Sequence, residues 1–466
     1  MVFTTHIFLF YFLPLVLLIY YLLPRYKNAF LTIASYVFYG WWAPWFVILM
    51  MTSTVLDYIC GGIIAQPGAS AARRRAALIT AIVGDLGLLA FFKYYVFTAE
   101  NLNVLLHIFG ASSLPILQIT LPIGISFYTF ESMSYTIDVY RGVAQRARSF
   151  SDLSCFISLF PHLVAGPIVR YNVVAEQIAS REHTREKFTH GVALFILGFA
   201  KKTLLANPMG SLADSVFAAQ SPLALDAWVG VIAYAFQIYF DFSGYSDMAV
   251  GLSRLFGFVI PKNFASPYLS ESITDFWRRW HISLSTWLRD YLYVPLGGNR
   301  KGLRRTYINL AAIMLIGGLW HGANWTFVIW GTYHGTLLAF ERWRGKTAPY
   351  DWLPRGARVA FTFVLVLFSW VLFRSPTLPA AIQYFGSMFG INSAARPAIL
   401  LGAEIYTPYY LAILGLCALL SFQRLEVYDW VQGLSWPRAF ALVPLFMLAI
   451  GAMFTQGVNP FLYFQF

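Results

Sequence analysis

"TYINLAAIMLIGGLWHGANWTFVIWGTYHGTLLAF", residues 306–340, contains no lysine, arginine, aspartate or glutamate. As one helix, this segment would be about 52 Å long at a rise of 1.5 Å per residue. The hydrocarbon core of a bilayer is only about 30 Å thick, so the segment has to break or tilt strongly. Gly317, Gly318 and Gly322 mark the predicted break, because glycine is a poor helix former. We therefore predict two membrane helices that join near His321.

The whole chain has the composition of a membrane protein. Of its 466 residues, 58% are hydrophobic and only 12% are charged, whereas about a quarter of the residues of a soluble domain are charged. Windows of about 20 apolar residues predict about eleven transmembrane helices in one membrane domain covering residues 1–466. The predicted spans lie near residues 3–24, 29–56, 77–98, 114–139, 188–206, 227–252, 307–320, 324–341, 357–374, 404–422 and 438–456.

Charge and cysteine content narrow the function classes. We ascribe the net charge of +12 to cytoplasmic loops and to contact with anionic membrane lipids. Nucleic acid is excluded as a partner because the basic residues are scattered and form no basic domain. Cys60, Cys155 and Cys417 lie far apart in apolar surroundings, so we predict three buried thiols and no metal site. The proline-broken segment 160–170, "FPHLVAGPIVR", predicts a re-entrant piece.

His321 is the first candidate functional residue. It lies at the predicted break, and an imidazole with an ordinary pKa near 6.5 is suited to proton transfer. Asn324 follows three residues later, so we expect both side chains on one face. The alternative, to which the position alone gives equal weight, is a packing histidine bonded to a neighbouring carbonyl.

The stretch 276–302, "FWRRWHISLSTWLRDYLYVPLGGNRKG", predicts one amphipathic helix at the membrane interface. Its apolar residues recur at helical spacing, and Asp275 and Arg279 form an i,i+4 pair. The helix is too charged to face lipid across the bilayer. Its basic residues predict an entrance for an anionic donor, although an interfacial anchor is the interpretation that this stretch alone favours. The arginines concerned are Arg278, Arg279 and Arg289.

The stretch 236–248, "FQIYFDFSGYSDM", places polar side chains inside a predicted span. Gln237, Asp241 and Tyr245 recur every four residues and share a stripe, while Asp247 lies off it. A carboxylate at membrane depth costs several kcal/mol unless it is paired or hydrated. These residues either line a substrate channel or are structural, with an aspartate paired to one of the arginines above. The structural interpretation is favoured.

Taken in order, four strings resemble the membrane-bound O-acyltransferase family: "FDFSGYSDMA", "DFWRRWHISLSTWLRDYLYVPLGGNR", "GGLWHGANWTFVIWGTYHG" and "NPFLYFQF". The resemblance extends through "LPIGISFYTF" (121–130) and 160–170, and so covers nearly the whole chain. It implies an all-α polytopic fold in which membrane helices, with re-entrant and interfacial helices, surround a central funnel and tunnel. Residues 273–341 form the signature region.

The resemblance implies an enzyme of the bacterial inner membrane. His321 matches the family's central catalytic histidine, and His281 matches the other histidine of the signature. The bacterial branch that this chain resembles passes an acetyl group from cytoplasmic acetyl-CoA, a substrate and not a bound cofactor, to periplasmic SGNH-type relay proteins that acetylate an exopolysaccharide such as alginate. We assign the arginines above to the donor's phosphates. The residues assigned to the substrate tunnel are Gln237, Asp241, Trp320 and Asn324.

Other functions stay open. Relatives that transfer D-alanine from a carrier protein to a wall polymer share much of the signature, so the donor is not fixed. A non-catalytic acyl transporter or channel also shows polar groups inside its spans. For the enzyme, we predict that His321 is the general base, a role worth about 10²–10⁴-fold in rate, and that His281 orients the donor or relays the proton. Asn324 or a backbone amide freed at the break is the predicted oxyanion donor.

Overall fold

The computed structural model describes residues 1–345, 350–392, 396–457 and 461–462, without the side chains of 396–399. Helices account for 73% of the described residues, which contain no strand, and this confirms the predicted all-α class. The chain packs as two compact units. One comprises Met1–Phe195 and Met248–Pro261, and the other comprises Ile196–Asp247 and Lys262–Phe466. The single domain and the central funnel stay predictions.

The first unit is built from helices of the N-terminal part of the chain. They are α1 (Leu13–Leu22), α2 (Lys27–Gly40), α3 (Trp45–Ile64), α4 (Ala71–Leu89), α5 (Tyr95–Ile108), α6 (Ile125–Arg141), α7 (Phe150–Ser158), α8 (Tyr171–Ala179) and the start of α9 (Arg185–Ala200). Two π-helical turns, Phe8–Phe12 and Ala90–Tyr94, extend α1 and α4.

The second unit contains the remaining helices. They are α10 (Asn207–Ala218), α11 (Ala224–Leu255, whose end belongs to the first unit), α12 (Ile273–Arg279), α13 (Ile282–Leu288), α14 (Gly302–His321), α15 (Trp325–Trp343), α16 (Arg355–Arg374), α17 (Leu378–Met388), α18 (Arg396–Ile405), α19 (Pro408–Ser421), α20 (Val427–Gln432) and α21 (Trp436–Thr455). Lys201–Ala206 and Arg289–Tyr293 are π-helical, and Pro267–Leu269 is a 3₁₀ turn.

Five helical segments of the described chain are long and apolar enough to cross a bilayer, so the protein is a multi-pass membrane protein. They are Trp45–Ile64, Ala71–Ile108, Arg185–Ala218, Arg355–Arg374 and Trp436–Thr455, beside the shorter apolar Phe8–Leu22 and Pro408–Ser421. The predicted count of eleven is not confirmed. The predicted span 29–56 is wrong as a single helix, because the chain breaks between Gly40 and Trp45, where Pro44 precedes α3.

The re-entrant prediction for 160–170 stays a prediction, and the structure shows a buried, irregular segment there. Residues 160–169 are all buried and form no long helix. Their backbone groups find partners inside the first unit: the Phe160 amide donates to Ser35 Oγ at 3.0 Å, and the Val169 amide donates to Glu131 Oε1 at 3.1 Å. The same carboxylate oxygen lies 2.9 Å from Nδ1 of the buried His162. Irregular backbone is tolerated here because protein groups replace water.

The opening segment breaks next to His321, as predicted, but Gly322 is the only one of the three predicted glycines that lies at the break. Helix α14 continues through Gly317 and Gly318 and ends at His321, and Gly322 is extended. A Cβ atom on Gly318 would lie 2.3 Å from the Phe327 carbonyl oxygen, and a Cβ on Gly331 would lie 2.3 Å from the Met314 carbonyl oxygen. Gly318 and Gly331 therefore allow the backbones of α14 and α15 to come into direct contact, and Gly318 does not break its helix.

We expect Gly318→Ala to destabilise the protein by about 1–3 kcal/mol, since the new methyl group forces two helix backbones apart. Gly317→Ala is the matched control in the same turn, because its Cβ would meet only Leu288 Cδ1, at an ordinary 3.5 Å. Thermal unfolding of both variants in the same detergent measures the difference. Equal unfolding temperatures for the two variants contradict the close contact.

Candidate active site

His321 lies at the C-terminal end of α14 and is enclosed by aromatic rings. Its side chain is 4% exposed. Its ring centroid is 5.0 Å from that of Trp320, 5.2 Å from that of Trp330 and 5.2 Å from that of Phe373, each in an edge-on arrangement. This enclosure excludes bulk water from the imidazole and strengthens any electrostatic interaction that it makes.

His281 occupies a strained turn between α12 and α13. Its φ of +47° and ψ of +54° place a non-glycine residue in the left-handed region, which costs about 1–3 kcal/mol and is a feature of functional sites. The predicted single amphipathic helix over 276–302 is therefore wrong, because α12 ends at Arg279 and α13 begins at Ile282. The His281 side chain is fully buried.

The two histidines come together in the second unit. Their ring centroids are 6.4 Å apart, and the Trp320 ring contacts both, at 5.7 Å from His281 and 5.0 Å from His321. Phe242 packs edge-on against His281 at 4.7 Å. Forty residues of sequence separate the two imidazoles, so tertiary packing and not a local motif makes the pair.

Asn263 holds the turn that carries His281. Its carbonyl oxygen accepts from the Ile282 amide at 3.0 Å, and its Oδ1 accepts from the Ser283 amide at 3.1 Å and from Ser283 Oγ at 2.9 Å. His281 Nδ1 is 3.3 Å from the same Oδ1. Because Oδ1 is an acceptor, Nδ1 carries the proton in this contact, and the neutral ring presents Nε2 as a lone pair.

Protonation of His281 is suppressed by its surroundings. Burial lowers the pKa of His281 from its ordinary value of 6.5 to about 3, since the charged ring loses its hydration. The ring is therefore neutral at physiological pH and keeps the tautomer that Asn263 selects. No sequence motif marks Asn263, because its contacts form only when its loop packs against residues 281–283.

Glu341 fixes the other end of α12. Its two carboxylate oxygens accept from the Ile273 amide at 2.7 Å and from the Thr274 amide at 2.9 Å, and Tyr350 Oη donates to it at 3.0 Å. A buried carboxylate at a helix N-terminus satisfies unpaired amides and faces the positive end of the helix dipole. Glu341 belongs to α15, so the helix that follows His321 also secures the helix that leads to His281.

The three predicted donor-binding arginines differ in their contacts. Arg279 pairs with Asp275 at 2.9 Å, which confirms the predicted i,i+4 pair. Arg289 pairs with the adjacent Asp290 at 2.7 Å. Arg278 is exposed and makes no ion pair with any residue in the described ranges. Arg278 is therefore the arginine of this group that is available to an incoming anion.

The tunnel candidates on α11 are held by structural contacts. Asp241, 1% exposed, accepts from Lys202 Nζ at 2.5 Å and from the Leu462 amide at 2.8 Å. Asp247 pairs with Lys201 at 2.6 Å. The expected pairing exists, but the expected arginine partners are wrong: the wide π-helical turn that begins at Lys201 brings two consecutive lysines to α11. Gln237 is 6% exposed and packs against Gly210.

Asn324 does not share a face with His321, because the helix ends between the two residues. Its Oδ1 accepts from the Thr326 amide at 3.0 Å as the N-cap of α15, and its Nδ2 donates to the Pro376 carbonyl at 2.9 Å. Both ends of the amide are thus used to fix the start of α15. The predicted oxyanion role of the Asn324 side chain is not supported by this geometry.

The family is established by comparison of the sequence with known proteins. The sequence profile of MBOAT, the membrane-bound O-acyltransferase family, matches residues 144–378. The chain belongs to this family, as its motifs predict, and is an O-acyltransferase. Both histidines, Asn263 and Glu341 lie inside the matched region.

Individual relatives cover most of the chain. It is 44% identical over 494 aligned residues to a Pseudomonas putida protein named probable alginate O-acetylase AlgI, with 100% of both chains covered. It is 35% identical to the peptidoglycan O-acetyltransferase of Helicobacter pylori, covering 85% of this chain and 81% of the relative. It is 30% identical to the teichoic acid D-alanyltransferase of Bacillus subtilis, and this match covers 54% of this chain and 67% of the relative.

We expect Asn263→Ala to lower kcat for acyl transfer by about 10²-fold with a smaller effect on KM, since small displacements of a catalytic group cost that much. The variant loses both the hydrogen bonds to Ser283 and the contact that sets the His281 tautomer. Asn263→Asp keeps the acceptor oxygen and is expected to retain more activity than Asn263→Ala. Equal loss in both variants, at matched thermal stability, contradicts the positioning role.

Proposed function

We propose that this protein is an acetyltransferase of the bacterial inner membrane that takes an acetyl group from cytoplasmic acetyl-CoA for O-acetylation of an alginate-like exopolysaccharide. The full-length 44% identity to a protein named as an alginate O-acetylase supports the substrate class. Two buried histidines that share one tryptophan contact support the chemistry. Periplasmic SGNH-type relay proteins are the proposed partners that receive the acetyl group and pass it to the polymer.

The proposed reaction uses His321 as a general base. An imidazole nitrogen of His321 removes the proton of the acceptor hydroxyl as its oxygen attacks the thioester carbonyl carbon. The tetrahedral intermediate then collapses, the C–S bond breaks, and the thiolate of CoA leaves and takes up the proton. A positioned base contributes about 10²–10⁴-fold to such a step. The aromatic enclosure of His321 keeps water from competing for the thioester.

His281 is proposed to assist and not to replace His321. A pKa near 3 keeps His281 neutral, so at physiological pH it takes part as a hydrogen-bonding group. With Nδ1–H directed at Asn263 Oδ1, its Nε2 is the nitrogen that accepts a hydrogen bond. Of the two roles predicted for His281, this arrangement favours orienting the donor over relaying a proton to His321, whose ring centroid is 6.4 Å away.

D-alanyl transfer is the second candidate function. It is favoured by the match to a teichoic acid D-alanyltransferase, but that match covers about half of this chain at lower identity. Incubation of purified protein with labelled acetyl-CoA separates the two candidates. Release of free CoA with a labelled acceptor supports acetyl transfer, whereas an intact thioester beside turnover of a D-alanyl carrier protein supports the alternative. An intact thioester without turnover of either donor matches a transporter.

We expect His321→Gln to reduce acetylation of the polysaccharide by about 10²–10⁴-fold, because the amide cannot act as a base. His334→Gln is the matched control: His334 is also buried and packs on Trp330, at 4.8 Å, and it accepts a hydrogen bond from Trp277 Nε1. Acetyl content is measured in cells with equal amounts of each variant in the membrane. Undiminished acetylation in His321→Gln removes His321 from the mechanism.

We expect Arg278→Ala to raise KM for acetyl-CoA by roughly tenfold with kcat nearly unchanged. A tenfold loss of affinity is at the lower end of the range expected when a hydrogen bond between charged groups is removed. Arg289→Ala is the comparison, since Arg289 is already paired with Asp290 and its loss should change KM less. Initial rates over a range of acetyl-CoA concentrations measure both constants. A KM for Arg278→Ala equal to that of the unaltered protein places the donor's phosphates elsewhere.

A further inference from the structure

A cavity of about 690 Å³ lies wholly within the second unit. Its walls come from the segment spanning α9 and α10, from α11, from α19 and α21, and from the short helix α20. It is distinct from the histidine pair, whose rings do not line it. Nothing in the proposed acetyl transfer uses this space.

Most of the cavity is lined by hydrocarbon. Along α11 it extends from Tyr239 to Asp247, which is about 12 Å at 1.5 Å per residue. Leucine and isoleucine side chains cover the facing walls: Leu197, Leu204, Ile413, Leu416, Leu420 and Leu445. An elongated apolar space of this length suits one alkyl chain better than a sugar or a nucleotide.

The cavity borders the surface that faces lipid. Leu416 is 42% exposed, Tyr409 is 55% exposed and Leu425 is 56% exposed, and all three line the cavity. Helix α21 is a candidate membrane span of which only 11% is buried in protein. Apolar side chains exposed on membrane helices contact acyl chains, so a lipid reaches this space without crossing water.

One end of the cavity is polar and carries charges of both signs. Lys201, paired with Asp247, and Glu426, paired with Lys262, lie there beside Tyr428 and Trp430. This end follows α19 along the chain and contains the short helix α20. Tyrosine and tryptophan are enriched at the level of lipid headgroups. A headgroup with both a phosphate and an ammonium matches this mixture of charges.

A buried hydroxyl between the apolar and polar parts needs a partner. Ser243 lines the cavity and is 1% exposed, and its Oγ makes no hydrogen bond to any group in the described part of the chain. A buried polar group without a partner is costly, so such an atom indicates a ligand group that satisfies it. An ester carbonyl, which lies between the chain and the headgroup of a phospholipid, is an acceptor in the required position.

We propose that this cavity binds a zwitterionic phospholipid. One acyl chain occupies the leucine-lined part, and an ester carbonyl accepts a hydrogen bond from Ser243. The phosphate lies at Lys201, and the ammonium lies at Glu426 with the Trp430 ring beside it. The bound lipid fills a space between α11 and α19 that would otherwise be empty, and thereby stabilises the helices of the second unit.

The test uses the full chain, purified in mild detergent and stripped of lipid, with phosphatidylethanolamine or phosphatidylglycerol of identical acyl chains as probes. Native mass spectrometry and thermal unfolding report binding. We expect phosphatidylethanolamine to bind roughly tenfold more tightly than phosphatidylglycerol, because only its ammonium can bond to Glu426. A tenfold difference is at the lower end of the range expected for a charge-assisted hydrogen bond. Neither measurement needs an acyl donor, so the result is independent of the proposed reaction.

Three variants sharpen this test. Glu426→Gln should abolish the preference for phosphatidylethanolamine, whereas Glu404→Gln, which is exposed, bonded to Ser215 and outside the cavity, should keep it. Leu416→Trp fills the cavity from its partly exposed wall and should prevent binding of either lipid while the protein still folds. Equal affinity for both lipids, or undiminished binding by Leu416→Trp, overturns the proposal.

Discussion

Contact between the backbones of α14 and α15 is the constraint on which the candidate active site depends. Gly318 and Gly331 leave no room for a side chain between the two helices. At one end of this hairpin, α14 terminates in His321. At the other end, α15 presents Glu341 to the amides of α12, the helix that leads to His281. One helix pair therefore sets the positions of both imidazoles, although they belong to different elements.

The local strain at His281 is balanced by its surroundings. A left-handed backbone at a non-glycine residue is unfavourable by about 1–3 kcal/mol. Asn263 offsets this cost with its bonds to Ile282 and Ser283, and Phe242 and Trp320 pack against the ring. A ring held in this way by packing and hydrogen bonds loses little entropy when a ligand arrives, which is how preorganisation would lower a barrier in the proposed reaction.

Sequence patterns predicted the helical class, the burial of the three cysteines and the candidate histidines, because composition and motif strings carry that information. They failed where tertiary contacts override local periodicity. The apolar spacing from Phe276 to Tyr291 is helical throughout, yet Asn263 supplies hydrogen bonds that stabilise a break at His281. Gly317 and Gly318 predicted a break by propensity, whereas the packing of α15 explains the glycine at 318. Apolar windows likewise merged α2 and α3 across Pro44.

The paired charges on α11 have a consequence for how the chain enters the bilayer. The segment Arg185–Ala218 carries Lys201 and Lys202 near its middle, and a lone lysine there costs about 3 kcal/mol on insertion-based scales. Their counter-charges, Asp241 and Asp247, are synthesised only afterwards. Entry of this segment into lipid therefore costs less free energy once α11 is present to supply the two counter-charges.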